Sequence, residues 1–155
     1  MEVKTNVMRI LEKEKIPYKP YFYSSDDGRI DGMAIAEKIG KDVERVFKTL
    51  VTKSARDYFV FVVPVYLELD LKKCAKAVGQ KSVEMIPVSE INKATGYIRG
   101  GCSPIGMKKQ FVTVVDESAL SQETMIFSAG KIGAQVEISP KDLEKIVPIK
   151  FEAIT

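Results

Sequence analysis

From Thr95 to Lys109 the chain reads Thr-Gly-Tyr-Ile-Arg-Gly-Gly-Cys-Ser-Pro-Ile-Gly-Met-Lys-Lys. Glycines, a proline and three cations are packed together between segments of regular apolar spacing. Glycine reaches positive φ and lets another group approach bare amides, and proline fixes the exit from such a loop. Several N–H groups can therefore be aimed at one oxygen. A second candidate is Lys48, within Val46-Phe47-Lys48-Thr49-Leu50-Val51. Strand alternation makes both faces of that segment largely apolar. Its ammonium is then partly desolvated, turned into a cavity, or facing water on an edge strand.

The chain contains no histidine. That excludes Ser-His-Asp and Cys-His catalysis and His-ligated zinc. Cys74 and Cys102 have no metal-ligand or redox spacing, which suits a reducing compartment. Cys74 falls on an apolar helical stripe and reads as core. Cys102 stands near cations that would lower its pKa, yet it lacks the usual base for a nucleophile. Gly101-xxxx-Gly106-Met107-Lys108 approaches a phosphate-cradling loop. Met107 occupies the lysine position and Lys108 the Ser/Thr position, so nucleotide hydrolysis is rejected. No metal and no cofactor are expected.

The net charge is only +3, but it is uneven. Between Leu71 and Gln110, Lys72, Lys73, Lys76, Lys81, Lys93, Arg99, Lys108 and Lys109 are opposed only by Glu84 and Glu90. A basic field beside the glycine loop suits an anionic partner such as a nucleic acid. No apolar run approaches the roughly 20 residues of a membrane span. Met1-Glu2-Val3-Lys4 lacks a leader pattern, so the expected location is the cytoplasm.

The elements that must hold these residues read as one α+β domain over 1–155, a mixed, barrel-like sheet core flanked by short helices. Helices are expected over 4–15, 31–39, 69–79, 89–95 and 139–146. Thr5 or Asn6, Asp70, Ser89 and Ser139 are the expected caps. Met33 and Leu71 are placed on buried stripes. Residues 18–23 read as an edge strand, since Pro20 suits only an edge. Residues 46–51 and 58–65 form a hairpin, 111–115 a buried strand, and 124–128 and 135–138 a hairpin joined by Gly130 to Gly133.

The glycine loop, the Phe47-Lys48-Thr49-Leu50 element upstream and Leu69-Asp70-Leu71-Lys72-Lys73 between them resemble the YbaK/EbsC family. Its members are bacterial editing domains that hydrolyse mischarged aminoacyl-tRNA, typically Cys-tRNA(Pro), and are related to the insertion domain of prolyl-tRNA synthetase. The resemblance runs from the first helix to about Ile146. It implies that Lys48 is the essential lysine and that the Gly100 backbone helps form the substrate pocket. Gly101 joins Gly100 as an expected oxyanion donor. Cys102, Ser103 and Pro104 complete the motif, and Tyr23 and Ser128 match pocket positions. Gln135 falls where some members carry an acidic residue. The resemblance also implies a reaction without an enzyme nucleophile, in which the substrate's own thiol attacks its ester. Lys72, Lys73, Lys76, Arg99, Lys108 and Lys109 are the expected tRNA contacts. Expected partners are tRNA(Pro) charged with cysteine, and prolyl-tRNA synthetase, with no membrane involved. A deacylase of Ala-tRNA(Pro) and a non-catalytic RNA-binding protein of the same fold are the alternatives.

Overall fold

A computed structural model describes residues 3–155. Met1 and Glu2, part of the segment read for a leader, lie outside the described residues. In chain order the elements begin with α1 (Asn6–Lys13), β1 (Lys19–Phe22), α2 (Gly32–Ile39), β2 (Phe47–Ser54) and β3 (Asp57–Pro64). They continue with α3 (Leu71–Ala77), β4 (Glu84–Met85), α4 (Val88–Thr95), β5 (Val112–Asp116) and a 3-10 turn, Glu117–Ser121. β6 (Met125–Lys131), β7 (Ala134–Ile138), α5 (Pro140–Ile146) and β8 (Ile149–Glu152) complete the chain. The helices start where short polar side chains can take up orphan amides. Thr5 accepts from Met8 N–H, Asp31 from Ala34, Asp70 from Lys72 and Lys73, and Ser139 from Asp142.

The strands form two sheets, β1-β7-β6 and β4-β2-β3-β5-β8. In the larger, β2 and β3 are an antiparallel hairpin, and β5 and β8 add in parallel. β3 carries a nearly continuous apolar run, as a strand covered on both faces requires. Val62 of β3 joins Phe127 and Val136 of the small sheet, Val7 and Leu11 of α1, and Leu143 of α5 in the main core. On the other face Phe61 and Val63 pack with Cys74 and Ala75 of α3 and with Ile154.

The mixed α+β core matches the sequence reading, but no barrel closes. The small and large sheets are joined by one bridge, Val46 to Ile126. β4 is only two residues long and pairs with β2 at Thr52 and Lys53, with one further bond from Ile86 N–H to the Val51 carbonyl at 3.3 Å. The rest of that edge of β2 is left open to a cleft. Four local expectations also change. Met33 and Leu71 are 49% and 39% exposed rather than buried. α4 starts behind Pro87, whose φ of −61° and extended ψ set the first turn without any side-chain cap from Ser89. β6 runs on to Lys131 through a bulge, so Gly130 sits inside the strand and not in the turn. Among the described residues no helix is long and apolar enough to cross a membrane.

Candidate active site

The open edge of β2 faces a cleft of about 890 Å³. Residues 47–51 of β2 form one wall. The start of α2, from Asp31 to Met33, and the preceding turn at Gly28 and Ile30 form another. Arg99, Gly100 and Cys102 of the glycine loop, and Ser128 and Gln135 of the small sheet, meet them. Met85, Ile86 and Val88 close the side below β4.

Lys48 belongs to the cavity and not to open water. Its side chain is 23% exposed, and its only ion pair among the described residues is with Glu68 Oε1 at 3.5 Å. Glu68 is itself 90% exposed, so this partner is loosely held and does not neutralise Lys48. Register explains what the neighbouring backbone does. Val65 N–H donates to the Val46 carbonyl at 2.8 Å, so alternate residues Val46, Lys48 and Leu50 bond to β3. Thr49 therefore turns its N–H and C=O toward the cleft, where β4 does not reach. The Thr49 hydroxyl is buried and without a partner among the described residues. The sequence reading missed Thr49, although its place beside Lys48 in a half-open strand was a usable signal.

Gly100 takes φ +88°, and a Cβ there would lie 2.9 Å from Ile30 Cδ1 across the cleft. Gly101 departs from its expected role. Its N–H donates to the Ile98 carbonyl at 2.9 Å, and the residue packs its α-carbon on the backbone of Lys131 and Ile132. An amide already bonded in a turn is not free for an oxyanion. Cys102 lines the cleft, but burial pushes its thiol up to about 12, with the Thr95 hydroxyl offsetting only part. Burial thus disfavours the thiolate that a nucleophile needs.

Ser128 and Gln135 lie opposite each other on β6 and β7. Ser128 Oγ accepts from Gly130 N–H at 3.1 Å. Gln135 is 3% exposed, and its Oε1 is buried with no partner among the described residues. An unpaired buried acceptor costs about 1–3 kcal/mol. Gln135 and Thr49 both line the cleft, and each has a buried side-chain oxygen without a partner among the described residues.

Other expected residues sit elsewhere. Ser103 and Pro104 are buried behind the cleft, with Ser103 Oγ accepting from Ile105 N–H. Tyr23 does not line the cleft. Its ring lies under Lys38 Nζ at 5.9 Å, and its hydroxyl is buried without a partner. Of the basic set, Arg99 lines the cleft, and Lys108 lays its stem over Gly96 nearby. Lys72, Lys73 and Lys76 are exposed on α3, which contributes nothing to the cleft, and Lys73 Nζ donates to the Thr155 carbonyl at 2.8 Å. The basic stretch is thus split between two regions of the surface. Among the described residues no group of His, Cys, Asp or Glu is arranged to hold a metal ion.

The family model described as "Aminoacyl-tRNA editing domain" matches residues 33–146. A protein of Enterococcus faecalis (strain ATCC 700802 / V583), named "Putative Cys-tRNA(Pro)/Cys-tRNA(Cys) deacylase EbsC", is 46% identical over 153 residues, covering 98% of this chain and 93% of that one. Among solved structures, one titled "Crystal structure of a putative trans-editing enzyme for prolyl tRNA synthetase" aligns over 99% of both chains, with a TM-score of 0.84 and 20% identity. A hypothetical protein, APE2540, aligns over 96% of this chain and 97% of its own, with a TM-score of 0.86 and 21% identity. At those identities the structural likeness speaks for the fold.

Proposed function

The chain belongs to the aminoacyl-tRNA editing domain family, within its YbaK/EbsC group, and we propose that it removes cysteine from mischarged tRNA(Pro) in trans. The whole of 1–155 is taken as the editing unit, working in the cytoplasm. The observation that carries the reading is the cleft itself. Lys48, the Gly100 backbone, Thr49 and Gln135 line one cavity in a protein without histidine.

Such a site suits a substrate that brings its own nucleophile. The cysteinyl thiol attacks its ester carbonyl, forming the C–S bond of a cyclic thiolactone. The bond to the ribose 3′-oxygen breaks, and the thiol proton ends on that oxygen. The tRNA leaves uncharged, and water later opens the thiolactone. The protein must hold the aminoacyl group in the attacking pose, and well-oriented intramolecular reactions gain about 7–11 kcal/mol. Gly100 N–H is the proposed donor to the developing oxyanion. Lys48 adds positive charge there or holds the terminal nucleotide. Gln135 Oε1 is an acceptor suited to the substrate ammonium. Arg99, Lys108 and Lys109 would follow the RNA backbone near the cleft, and Lys72, Lys73 and Lys76 would contact it farther off. Prolyl-tRNA synthetase is the proposed partner that presents tRNA(Pro).

Single-turnover deacylation of Cys-tRNA(Pro), Ala-tRNA(Pro) and Pro-tRNA(Pro) tests this reading, with Lys48→Ala as control. Loss of cysteine alone, abolished in Lys48→Ala, is the expected result. Loss of alanine would replace thiol attack by water attack. No hydrolysis of any substrate, with prolyl-tRNA synthetase supplied, would leave RNA binding without catalysis.

A further inference from the structure

Tyr97 stands where the glycine loop leaves α4, and it lines no part of the cleft. Its hydroxyl donates to the Ile105 carbonyl, eight residues on, so one side chain closes the loop that carries Gly100 and Cys102. Its backbone is fixed at the same point. Tyr97 N–H donates to Thr95 Oγ1 at 3.0 Å, and its carbonyl accepts from Asn92 Nδ2 at 3.4 Å. Lys108 N–H, bonded to the Thr95 carbonyl at 2.9 Å, makes a wider clamp around the same loop.

The ring fills space that two glycines leave. A Cβ on Gly130 would lie 3.0 Å from Tyr97 Cε1, and one on Gly106 would lie 2.8 Å from its hydroxyl. Gly130 belongs to the bulge between Ser128 and Lys131, and its N–H holds Ser128 Oγ. Tyr97 therefore touches both walls of the cleft from behind. One wall is the loop of Gly100, and the other is the strand pair of Ser128 and Gln135. Burial raises the phenol to about 12, so the hydroxyl keeps its proton and stays a donor at working pH.

We infer that Tyr97 is a positioning residue for the proposed deacylation: its bond to Ile105 and its seat on Gly130 set the Gly100 amide at a fixed distance from the Ser128–Gln135 wall. The inference rests on the deacylase reading. Its scale follows from the chemistry, because a misplacement of about 1 Å can cost on the order of 10²-fold in rate. A site supported by a slack loop fails in that way while the fold survives.

Tyr97→Phe keeps the ring and removes only the hydroxyl bond. The expected result with Cys-tRNA(Pro) is a kcat about 10- to 100-fold lower at unchanged KM. Thermal stability should fall by only about 2–4 °C, the loss of one hydrogen bond. Hydrogen exchange at the Gly101 and Lys108 amides, bonded to the Ile98 and Thr95 carbonyls, should quicken about tenfold, while the β3 amides keep their protection. Gly106→Ala pushes on the same hydroxyl, so the double variant should lose no more kcat than Gly106→Ala alone. Wild-type kcat in Tyr97→Phe, additive losses in the double variant, or unchanged exchange at Gly101 and Lys108 would each overturn the inference. If the wild-type protein deacylates nothing, the functional reading fails, and the exchange measurement still decides whether Tyr97 holds the loop.

Discussion

Gly100→Ala separates what the glycine loop does for the fold from what it does for chemistry. At φ +88°, alanine is strained by about 1–2 kcal/mol. The new methyl would meet Ile30 Cδ1 at 2.9 Å, the movable end of a flexible side chain, and Ile132 Cγ1 at an ordinary 3.5 Å. Ile30 can rotate, so the fold should lose little beyond the strain, or about 2–8 °C in melting temperature for a chain of this size. The cleft loses more, because the loop must relax or Ile30 must turn into the space beside Lys48. Losing an aligned oxyanion donor costs about 10²–10³-fold in kcat. Gly79→Ala is the matched control. Its φ is +69°, nothing lies within 4 Å of the new Cβ, and it sits beyond α3 outside the cleft. Melting curves and single-turnover deacylation of Cys-tRNA(Pro) should show both variants equally destabilised and only Gly100→Ala inactive. Equal deacylation by the two would refute Gly100 as an oxyanion donor.

Gln135→Met removes the unpaired Oε1 at nearly constant shape, so urea melts should show a gain of about 1–3 kcal/mol while substrate KM rises. A destabilised variant with normal KM would contradict a ligand-facing role. Glu137 gives a pH test. Burial alone would raise its carboxyl, but bonds from the Thr124 and Tyr21 hydroxyls, with Lys41 and Arg45 nearby, hold it below the usual glutamate value. A folded pKa below the unfolded one gives stability that is present above the unfolded pKa, about 4.3, and is lost as pH falls through the folded value. Glu137→Gln should therefore be less stable than wild type at pH 7, with the gap narrowing below about pH 4 in acid titrations followed by circular dichroism. Arg99→Ala should lower the slope of log K against log salt for tRNA binding by about 1, as a lost phosphate contact does. Lys73→Ala should change it less, because Lys73 is already turned toward the Thr155 carbonyl.

Local chemistry made most elements legible. The caps at Thr5, Asp70 and Ser139 are short polar side chains whose bonds are formed within three residues, so sequence spacing suffices to read them. Ser89 failed because the neighbouring Pro87 already fixes the φ and ψ that start α4. Met33 failed because helical spacing gives a stripe but not the surface it meets, and the first turn of α2 overhangs a cleft rather than core. β4 carries no signal of its own, being two residues paired only to Thr52 and Lys53. The site was legible mainly through resemblance. Lys48, Gly100 and Gln135 come from three separate strands and loops, and no local period relates them. The loop's composition did not reveal that the Gly101 amide is bonded to the Ile98 carbonyl, and the matched position of Tyr23 did not say that it lies outside the lining of the cleft.

The position of the cleft follows from where the two sheets fail to close. A free strand edge offers unpaired N–H and C=O groups and is normally a liability toward other strands. Here β4 covers β2 at Thr52 and Lys53, and the Val46–Ile126 bridge ties its other end to the small sheet. Between these two closures Thr49 keeps its backbone groups free, flanked by Lys48 on one face. The gap is too short for a partner strand, and the glycine loop and the start of α2 line the cleft it opens on. Shortening β4 would lengthen the exposed edge and invite aggregation. Lengthening it so that three more residues stand opposite Val51, Leu50 and Thr49, as two residues inserted ahead of Ile86 would do, would pair Thr49 and remove the polar groups the proposed substrate would use. Inserting Val-Thr after Met85 should accordingly abolish deacylation while raising thermal stability, and retained activity in that variant would show that the β2 edge plays no part in binding.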